Sequence, residues 1–291
     1  MKLTQDALKI DADLTVTRIK RFIKDYVEKT DAKGVAVAVS GGIDSCTTAA
    51  LSALAVGGKN VAALYMPEKE TFSQTDAKHA KQVADKFNFK LETIDITLVI
   101  EALCRILPIY DEHDKLSRGN LKARARMICL YYYANHLGKI VCGSSDKSET
   151  MMGYFTKWGD VAADISPQMD LYKTQVRLVA AHIGIPEEII SKPSTPQLWP
   201  GQIAEQELGM KYETLDLVLL GLENFMSIEE IAAQLQLEIN FIKNIKDRWL
   251  ANEHKRRQPL TLKQEFRTVG TDFRLPYTLS QARESRRRKN Q

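Results

Sequence analysis

Short apolar runs alternate with amphipathic stretches along the first half of the chain. Four runs are too short for helices and rich in Val, Ile and Leu, so they predict strands at 35–39, 60–66, 90–96 and 139–144. The first lacks polar alternation, which is typical of a strand covered on both faces. Helical periodicity fills the intervals, at 44–56, 73–87, 97–106 and 119–137. Strands alternating with helices predict an α/β fold, a doubly wound parallel sheet with helices on both faces.

Further helical patterns flank this alternating part. Apolar residues recur at three- and four-residue spacing over 5–29, which predicts an amphipathic helix before the first strand. A stretch rich in aromatic residues and glycine, 151–174, shows no clear period and is typical of an ordered functional loop. Beyond it the pattern predicts helices at 174–183, 213–225, 228–236 and 239–251, with an irregular link at 192–201. We expect one domain, 1–259, with a helical C-terminal part, followed by an extension, 260–291.

Composition excludes several classes of protein. The 291 residues are 44% hydrophobic, enough for a buried core. No run of about 18 apolar residues exists, so no membrane span is expected. The charged N-terminal stretch 1–15 lacks the apolar centre of a signal peptide. No two cysteines have zinc-ligand spacing, so we expect reduced thiols in a cytoplasmic protein. The four are Cys46, Cys104, Cys129 and Cys142.

The net charge of +4 is a local feature of the C-terminus. The last nine residues, 283–291, hold five basic residues and one glutamate, a net +4, so the rest of the chain is neutral in sum. A nucleic-acid partner would require a basic face on the folded body, and none is indicated. We expect the basic tail to be a solvated end of the chain.

The candidate chemistry begins with SGGIDS, residues 40–45, directly after the first predicted strand. A glycine turn between a parallel strand and a helix exposes unpaired N–H groups that attract anions. Gly41 and Gly42 allow close backbone approach, and the two serines offer hydroxyl donors. The alternative from these residues alone is a tight turn in which Asp44 simply starts the helix.

Asp44 decides what kind of anion site this is. The loop matches neither the GxxxxGK[ST] phosphate loop nor the GxGxxG dinucleotide fingerprint. A carboxylate beside bare phosphates would be repelled, so its presence indicates a Mg²⁺ ion bridging it to them.

SGGIDS after a buried strand resembles the pyrophosphate loop of the N-type ATP pyrophosphatases. That resemblance implies the adenine nucleotide alpha-hydrolase-like fold and cleavage of ATP between its α- and β-phosphates. Downstream segments resemble the ammonia-dependent NAD synthetases within this superfamily. They are GSSDKSETMMGYFTKWGDVAAD at 143–164, LYKT at 171–174, KPSTPQLWPGQ at 192–202, ELGMKY at 207–212 and EHKRRQP at 253–259.

The resemblance implies a C–N ligase that amidates deamido-NAD to NAD. ATP adenylates the nicotinate carboxylate, and ammonia then displaces AMP. Asp44 and Glu149 match the family's magnesium ligands, and Lys173 matches its ATP-contacting lysine; these three are the implied catalytic residues. The implied ATP-binding set is Ala38, Val39, Ser40, Gly41, Gly42, Ile43, Asp44, Ser45, Ser144, Lys173 and Ser194.

The implied acceptor side is less regular. The residues that fall on the family's deamido-NAD positions are Arg124, Lys157, Asp164, His254 and Lys255. Each has a simpler alternative, such as a helix cation or a solvated loop charge. Val161 replaces a glycine of the family, so we expect strain there if the backbone requires a positive φ.

The resemblance further implies a homodimer whose acceptor site lies at the subunit interface, with free ammonia as the nitrogen donor. Three other functions stay open. One is an adenylating ligase that amidates a different carboxylic acid. Another is a tRNA-modifying pyrophosphatase, against which the neutral body argues. The third is a non-catalytic nucleotide-binding homologue.

Overall fold

A computed structural model describes residues 1–269 and 272–273 of the chain. The predicted basic tail, 283–291, lies outside the described residues, as do residues 270–271 and 274–282 of the extension. The division of the chain at residue 259 therefore stays a prediction.

Four parallel strands form one sheet in the order β3-β2-β1-β4. The strands are β1 Val35–Ala38, β2 Val61–Tyr65, β3 Lys90–Thr93 and β4 Ile140–Val141. In the register, Val35 lies opposite Val61 on one side and Ile140 on the other. The sequence order differs from the spatial order, so the helices that connect the strands cross over the faces of the sheet.

Thirteen α-helices belong to the described residues. Those in the alternating part are α1 Ala12–Lys29, α2 Ile43–Val56, α3 Gln74–Lys86, α4 Thr97–Ile106 and α5 Lys115–Leu137. Those that follow are α6 Lys147–Met152, α7 Lys173–Ile183, α8 Glu187–Ile190, α9 Ala204–Leu208, α10 Tyr212–Glu223, α11 Ile228–Leu235, α12 Ile239–Ala251 and α13 Glu253–Arg256. Short 3₁₀ helices lie at Gln5–Leu8 and Gly58–Asn60.

Side chains of β1 enter two different cores because successive residues of a strand point to opposite faces. Val35 and Val37 pack with apolar residues of α1, α2, α3 and α7. Ala36 packs on the other face with α4 and α5, among residues such as Ile100 and Leu130. Both faces of the sheet are covered, so the predicted doubly wound α/β fold is confirmed.

The helical C-terminal part has its own core, built from residues of α6, α9, α10, α11 and α12. α10 packs against both α6 and α7, and thereby joins this core to the sheet. Among the described residues, no helix combines the length and the apolar character that a membrane crossing needs.

Several element boundaries differ from the predicted ones. The helix predicted at 5–29 begins at Ala12, because the Asp11 side chain accepts the N–H of Leu14 (2.9 Å) and caps it. The helix predicted at 119–137 begins at Lys115, where Asp114 acts in the same way. The helix α6 was not predicted, and it brings a cap of its own to the site described next.

Candidate active site

A cavity of about 670 Å³ opens beyond the carboxyl ends of β1, β2 and β4. Its lining includes Ala38 and Val39 at the end of β1, Met66 just after β2, and Ser144 and Ser145 just after β4. Ligands of open α/β sheets bind at this edge, because loops from several strands converge there. The cavity is therefore where the fold places its chemistry.

The SGGIDS loop forms one wall of the cavity. Gly42 precedes α2 and no side chain caps the helix, so its first N–H groups are available to an anion. Gly41 has φ +83°, and a Cβ there would lie 2.3 Å from the carbonyl oxygen of Asp76. Ser45 Oγ accepts the N–H of Ser40 (3.0 Å) and donates to the carbonyl of Gly42 (3.1 Å). The glycine and the serine thus fix the shape of the loop.

Three carboxylates meet beside this loop. Asp44, Asp146 and Glu149 each offer a ligand oxygen, and these atoms lie within 4.8 Å of one another. Asp146 is fully buried and caps α6, with its Oδ1 accepting the N–H of Glu149 (2.7 Å). Asp146 was missed from the sequence, although an aspartate three residues before a glutamate is a recognisable helix-start signal.

Lys173 lies among the three carboxylates. Its Nζ is 2.6 Å from Asp44 Oδ2, 2.8 Å from Asp146 Oδ2 and 2.9 Å from Glu149 Oε1. Burial alone would lower the pKa of Lys173, but the charges of Asp146, Asp44 and Glu149 raise it well above its usual value. Burial also raises the pKa of Glu149 well above its usual value, although attraction to Lys173 opposes that shift.

These residues fit a hard divalent cation. When ionised, the three carboxylates and Lys173 carry a net charge of −2, which a divalent cation would neutralise. Asp44 Oδ1 is buried and has no hydrogen-bond partner in the described chain. Carboxylate oxygens are the ligands that Mg²⁺ prefers. Asp44 and Glu149 could hold the metal as predicted, with Asp146 as a third ligand.

Four of the five predicted acceptor residues line the same cavity: Arg124, Lys157, His254 and Lys255. They are connected through backbone carbonyls. Arg124 Nη2 donates to the carbonyl of Lys157 (3.2 Å), and Lys157 Nζ donates to that of His254 (2.7 Å). Burial lowers the pKa of Lys255, whose Nζ donates to the carbonyl of Phe155 (2.9 Å).

Asp164 is not among the lining residues. Its Oδ2 accepts the N–H of Val141 (2.7 Å), and its Oδ1 accepts the hydroxyl of Tyr131 (3.4 Å). In this conformation the carboxylate holds the end of β4. Gly41 and Lys173 likewise lie behind the cavity wall rather than in its lining, while the rest of the predicted ATP-binding set faces it.

The strain that a positive φ would cause at Val161 is absent. Val161 is not among the residues with positive φ; Trp158, three positions earlier, has φ +61° instead. The left-handed turn of this loop is therefore made at Trp158, and a Val161→Gly change would relieve no strain.

The segment 192–202 lies along the cavity and contains predicted Ser194, whose Oγ is buried without a hydrogen-bond partner in the described chain. Lys192 and Gln197 both donate to the buried carboxylate of Asp76 on α3. None of these three polar residues was predicted, because their contact joins parts of the chain that no local pattern connects.

A glycine loop at a strand end, a neighbouring acidic cluster and basic side chains in the same cavity define an α/β protein suited to binding a nucleotide with a divalent cation. The family model described as NAD synthase matches residues 15–259. The chain belongs to the NAD synthase family, so the family predicted from the sequence motifs is confirmed.

Curated relatives agree with this result. The NH(3)-dependent NAD(+) synthetase of Hyperthermus butylicus is 43% identical over 261 residues, which cover 89% of this chain and 94% of the relative. That of Methanocaldococcus jannaschii is 45% identical over 248 residues, 84% of this chain and 95% of the relative. The match thus extends over most of both relatives.

Two solved structures share the fold at 28% sequence identity. The NMN synthetase from Francisella tularensis superposes with a TM-score of 0.77, covering 87% of this chain and 99% of its own. The NH3-dependent NAD synthetase from Campylobacter jejuni gives a TM-score of 0.73, covering 87% of this chain and 100% of its own.

Proposed function

We propose that this protein amidates deamido-NAD to NAD with ATP and ammonia, releasing AMP and pyrophosphate. The observation that carries the proposal is a single cavity lined both by the SGGIDS loop with its acidic cluster and by four basic side chains. The first group suits a nucleoside triphosphate, and the second suits an anionic acceptor. The NH(3)-dependent NAD(+) synthetases to which the chain is similar support this combination.

In the first step, the nicotinate carboxylate attacks the α-phosphorus of ATP, and the bond between that phosphorus and the pyrophosphate oxygen breaks. The free N–H groups at the start of α2 can hold the departing pyrophosphate. Mg²⁺ held by Asp44, Asp146 and Glu149 would neutralise phosphate charge. Lys173 keeps the three carboxylates together through its ion pairs.

In the second step, the nitrogen of ammonia attacks the activated carbonyl carbon, loses a proton, and AMP leaves with the electrons of the C–O bond. Arg124, Lys157 and Lys255 can hold the negatively charged acceptor during both steps. Free ammonia as the donor is supported by the relatives, which are described as NH(3)-dependent.

The direct test is incubation of the purified protein with ATP, MgCl₂, an ammonium salt and deamido-NAD, with products separated by chromatography. We expect equal amounts of NAD, AMP and pyrophosphate, and no NAD when ammonium is omitted. ADP and inorganic phosphate as primary products would contradict the proposed adenylation.

A second acceptor is worth testing because the Francisella tularensis protein, with the same fold, is an NMN synthetase. The same adenylation and amidation could be applied to the carboxylate of nicotinate mononucleotide. Parallel assays with the two acceptors at equal concentrations distinguish these functions. We expect a higher kcat/KM for deamido-NAD; a higher value for the mononucleotide would favour the second function.

A homodimer is part of the proposal. Apolar side chains are exposed along α4, the following turn and the outer face of α5. They are Leu98, Ile106, Ile109, Leu116, Ile128 and Tyr132. Exposed apolar side chains on neighbouring elements support an association site on this part of the surface. Sedimentation velocity should give the mass of two chains; a single chain at every concentration would overturn this part.

The compartment is also proposed from chemistry. All four cysteines are free thiols, and Cys46 and Cys142 are buried. Free thiols support a reducing, cytoplasmic environment.

A further inference from the structure

Asp216 on α10 is a buried carboxylate that has no cationic partner. Its side chain is inaccessible to solvent, and no lysine, arginine or histidine of the described chain lies within ion-pair distance. Burial raises its pKa to about 6. An isolated buried carboxylate costs free energy unless hydrogen bonds compensate it, so the identity of its partners is informative.

Both oxygens of Asp216 bind elements that carry site residues. Oδ1 accepts the hydroxyl of Ser148 (2.5 Å), and Oδ2 accepts the N–H of Thr174 (2.9 Å). Ser148 belongs to α6 and lies between Asp146 and Glu149 in sequence. Its Oγ also accepts the N–H of Lys173 (2.9 Å). One carboxylate and one hydroxyl therefore connect the start of α6 to the start of α7.

A second residue of α10 points to the same place. The ring of Tyr212, one helical turn before Asp216, lies with its centroid 5.2 Å from Lys173 Nζ. Residues four apart share a face of a helix. The face of α10 that holds the backbone around Lys173 therefore also contacts its ammonium group.

We propose that Asp216 is a positioning residue that sets the spacing between the carboxylates of α6 and the ammonium of Lys173, and thereby shapes the cation site. Without it, Ser148 Oγ would still accept the N–H of Lys173, but nothing in the described chain would hold the Ser148 hydroxyl or bind the N–H of Thr174. The inference rests on the proposed function for its effect on turnover, but its effect on metal binding is independent of any product.

The experiment compares Asp216→Ala, Asp216→Asn, Ser148→Ala and the double variant Asp216→Ala/Ser148→Ala. Mn²⁺ binding is measured by calorimetry, with kcat and the KM for ATP measured separately. We expect Asp216→Ala and Ser148→Ala each to weaken Mn²⁺ binding and to lower kcat by about 10- to 100-fold, the range for residues that orient metal ligands. The double variant should lose little more than either single variant, since the two groups act together.

Asp216→Asn should recover part of both losses. Its amide oxygen can accept the N–H of Thr174, and its NH₂ can donate to Ser148 Oγ, so the connection persists without the charge. Ser52→Ala is the matched control, because Ser52 is a buried serine whose hydroxyl donates to Cys142 Sγ, away from the cluster.

The outcomes separate positioning from simple stabilisation. If the Asp216 and Ser148 variants melt at lower temperature, but bind Mn²⁺ and turn over like the Ser52→Ala control, the inference is overturned. If Asp216→Ala does not fold, Asp216→Asn and Ser148→Ala decide the question. If the wild type makes no NAD, the proposed function fails while the Mn²⁺ measurement still tests the positioning role.

Discussion

Lys173 and the three carboxylates around it dominate the electrostatics of the site. The lysine is inaccessible to solvent, and its ammonium group lies within 3 Å of one oxygen from each of Asp44, Asp146 and Glu149. The carboxylates outnumber the lysine, so loss of one carboxylate reduces the uncompensated charge, whereas loss of Lys173 leaves three carboxylates without their cation. Single substitutions in this cluster therefore report separately on charge balance and on metal binding.

Removing one carboxylate should impair turnover far more than folding. We expect Asp44→Asn, Asp146→Asn and Glu149→Gln each to lower kcat by about 100-fold or more, because neutralisation of phosphate charge is lost. Asp170→Asn is the control, a carboxylate with a 97% exposed side chain that pairs with Lys147. Turnover is measured against MgCl₂ concentration, with circular dichroism as the check on folding. Near-normal turnover of a variant at limiting MgCl₂ would exclude that residue as a ligand.

Removing Lys173 should impair folding more than turnover. We expect Lys173→Met to lower the free energy of unfolding by about 3–5 kcal/mol, the usual cost of leaving buried charges unpaired. MgCl₂ should then raise the melting temperature of the variant more than that of the wild type, because a cation bound only in the folded state stabilises it.

Lys122→Met provides the matched control for this experiment. Lys122 is equally buried and pairs with Glu68 Oε2 (2.7 Å) and Glu70 Oε2 (2.8 Å), outside the acidic cluster. It should lose stability without recovery in MgCl₂. Scanning calorimetry measures the melting temperatures of both variants with and without MgCl₂. An equal rise in melting temperature for both would show that Mg²⁺ does not act at the Lys173 cluster.

At the scale of elements, the segment 192–202 is held against the cavity at separate points. Lys192 and Gln197 bind Asp76 on α3. Trp199 packs so close to Gly119 on α5 that a Cβ there would lie 3.1 Å from its ring. The contact of Asp76 with Gly41 extends this connection to the SGGIDS loop. Asp76 therefore supports both the segment 192–202 and the SGGIDS loop.

Detaching the segment should weaken ATP binding. In Asp76→Ala, Lys192 and Gln197 lose their shared acceptor, and we expect the KM for ATP to rise about tenfold or more, as loss of a charge-assisted hydrogen bond predicts. Limited proteolysis within 192–202 should become faster. The control is Asp85→Ala on the same helix, an exposed aspartate paired with Lys81. Unchanged proteolysis of Asp76→Ala would contradict the anchoring role.

The strands and the long helices were predictable from the sequence, and the short helix α6 was not. The four strands are confirmed, since each is an apolar run between amphipathic segments. α6 spans only six residues, too few to show a helical period. Gly119 lies inside α5 rather than at its predicted start. The position has no side chain because Leu198 and Trp199 occupy the space where one would be. Such a requirement comes from tertiary packing, which the local pattern does not contain.

The residues of the site also divide into those that a local pattern predicts and those that only the fold brings together. The SGGIDS loop is contiguous, so its residues and its geometry at the end of β1 could be predicted. Lys173 and Asp44 are 129 positions apart, and only the fold brings them together. The family resemblance indicated both residues but gave no sign of Asp146, which pairs with Lys173, or of Asp216, which binds Ser148 and the N–H of Thr174.

At the scale of the whole molecule, one face of α5 connects the acceptor residues to the proposed dimer surface. Arg124, Ile128 and Tyr132 follow one another at intervals of four, so they lie along one stripe of the helix. Arg124 lines the cavity, while Ile128 and Tyr132 are exposed. A second chain that covers the apolar part of this stripe would lie directly beside the acceptor end of the cavity.

Dissociating the dimer should therefore weaken acceptor binding and spare ATP binding. We expect Ile128→Asp to sediment as a single chain, because a buried charge at the centre of an interface opposes association. Its KM for deamido-NAD should rise at least about tenfold, while the Kd for ATP measured by calorimetry stays near the wild-type value. Phe225→Asp is the control, a 96% exposed apolar residue that follows α10. If the Ile128→Asp variant is monomeric and keeps the wild-type KM for deamido-NAD, the acceptor site does not depend on the dimer surface. The cavity of one chain would then be sufficient to bind the acceptor.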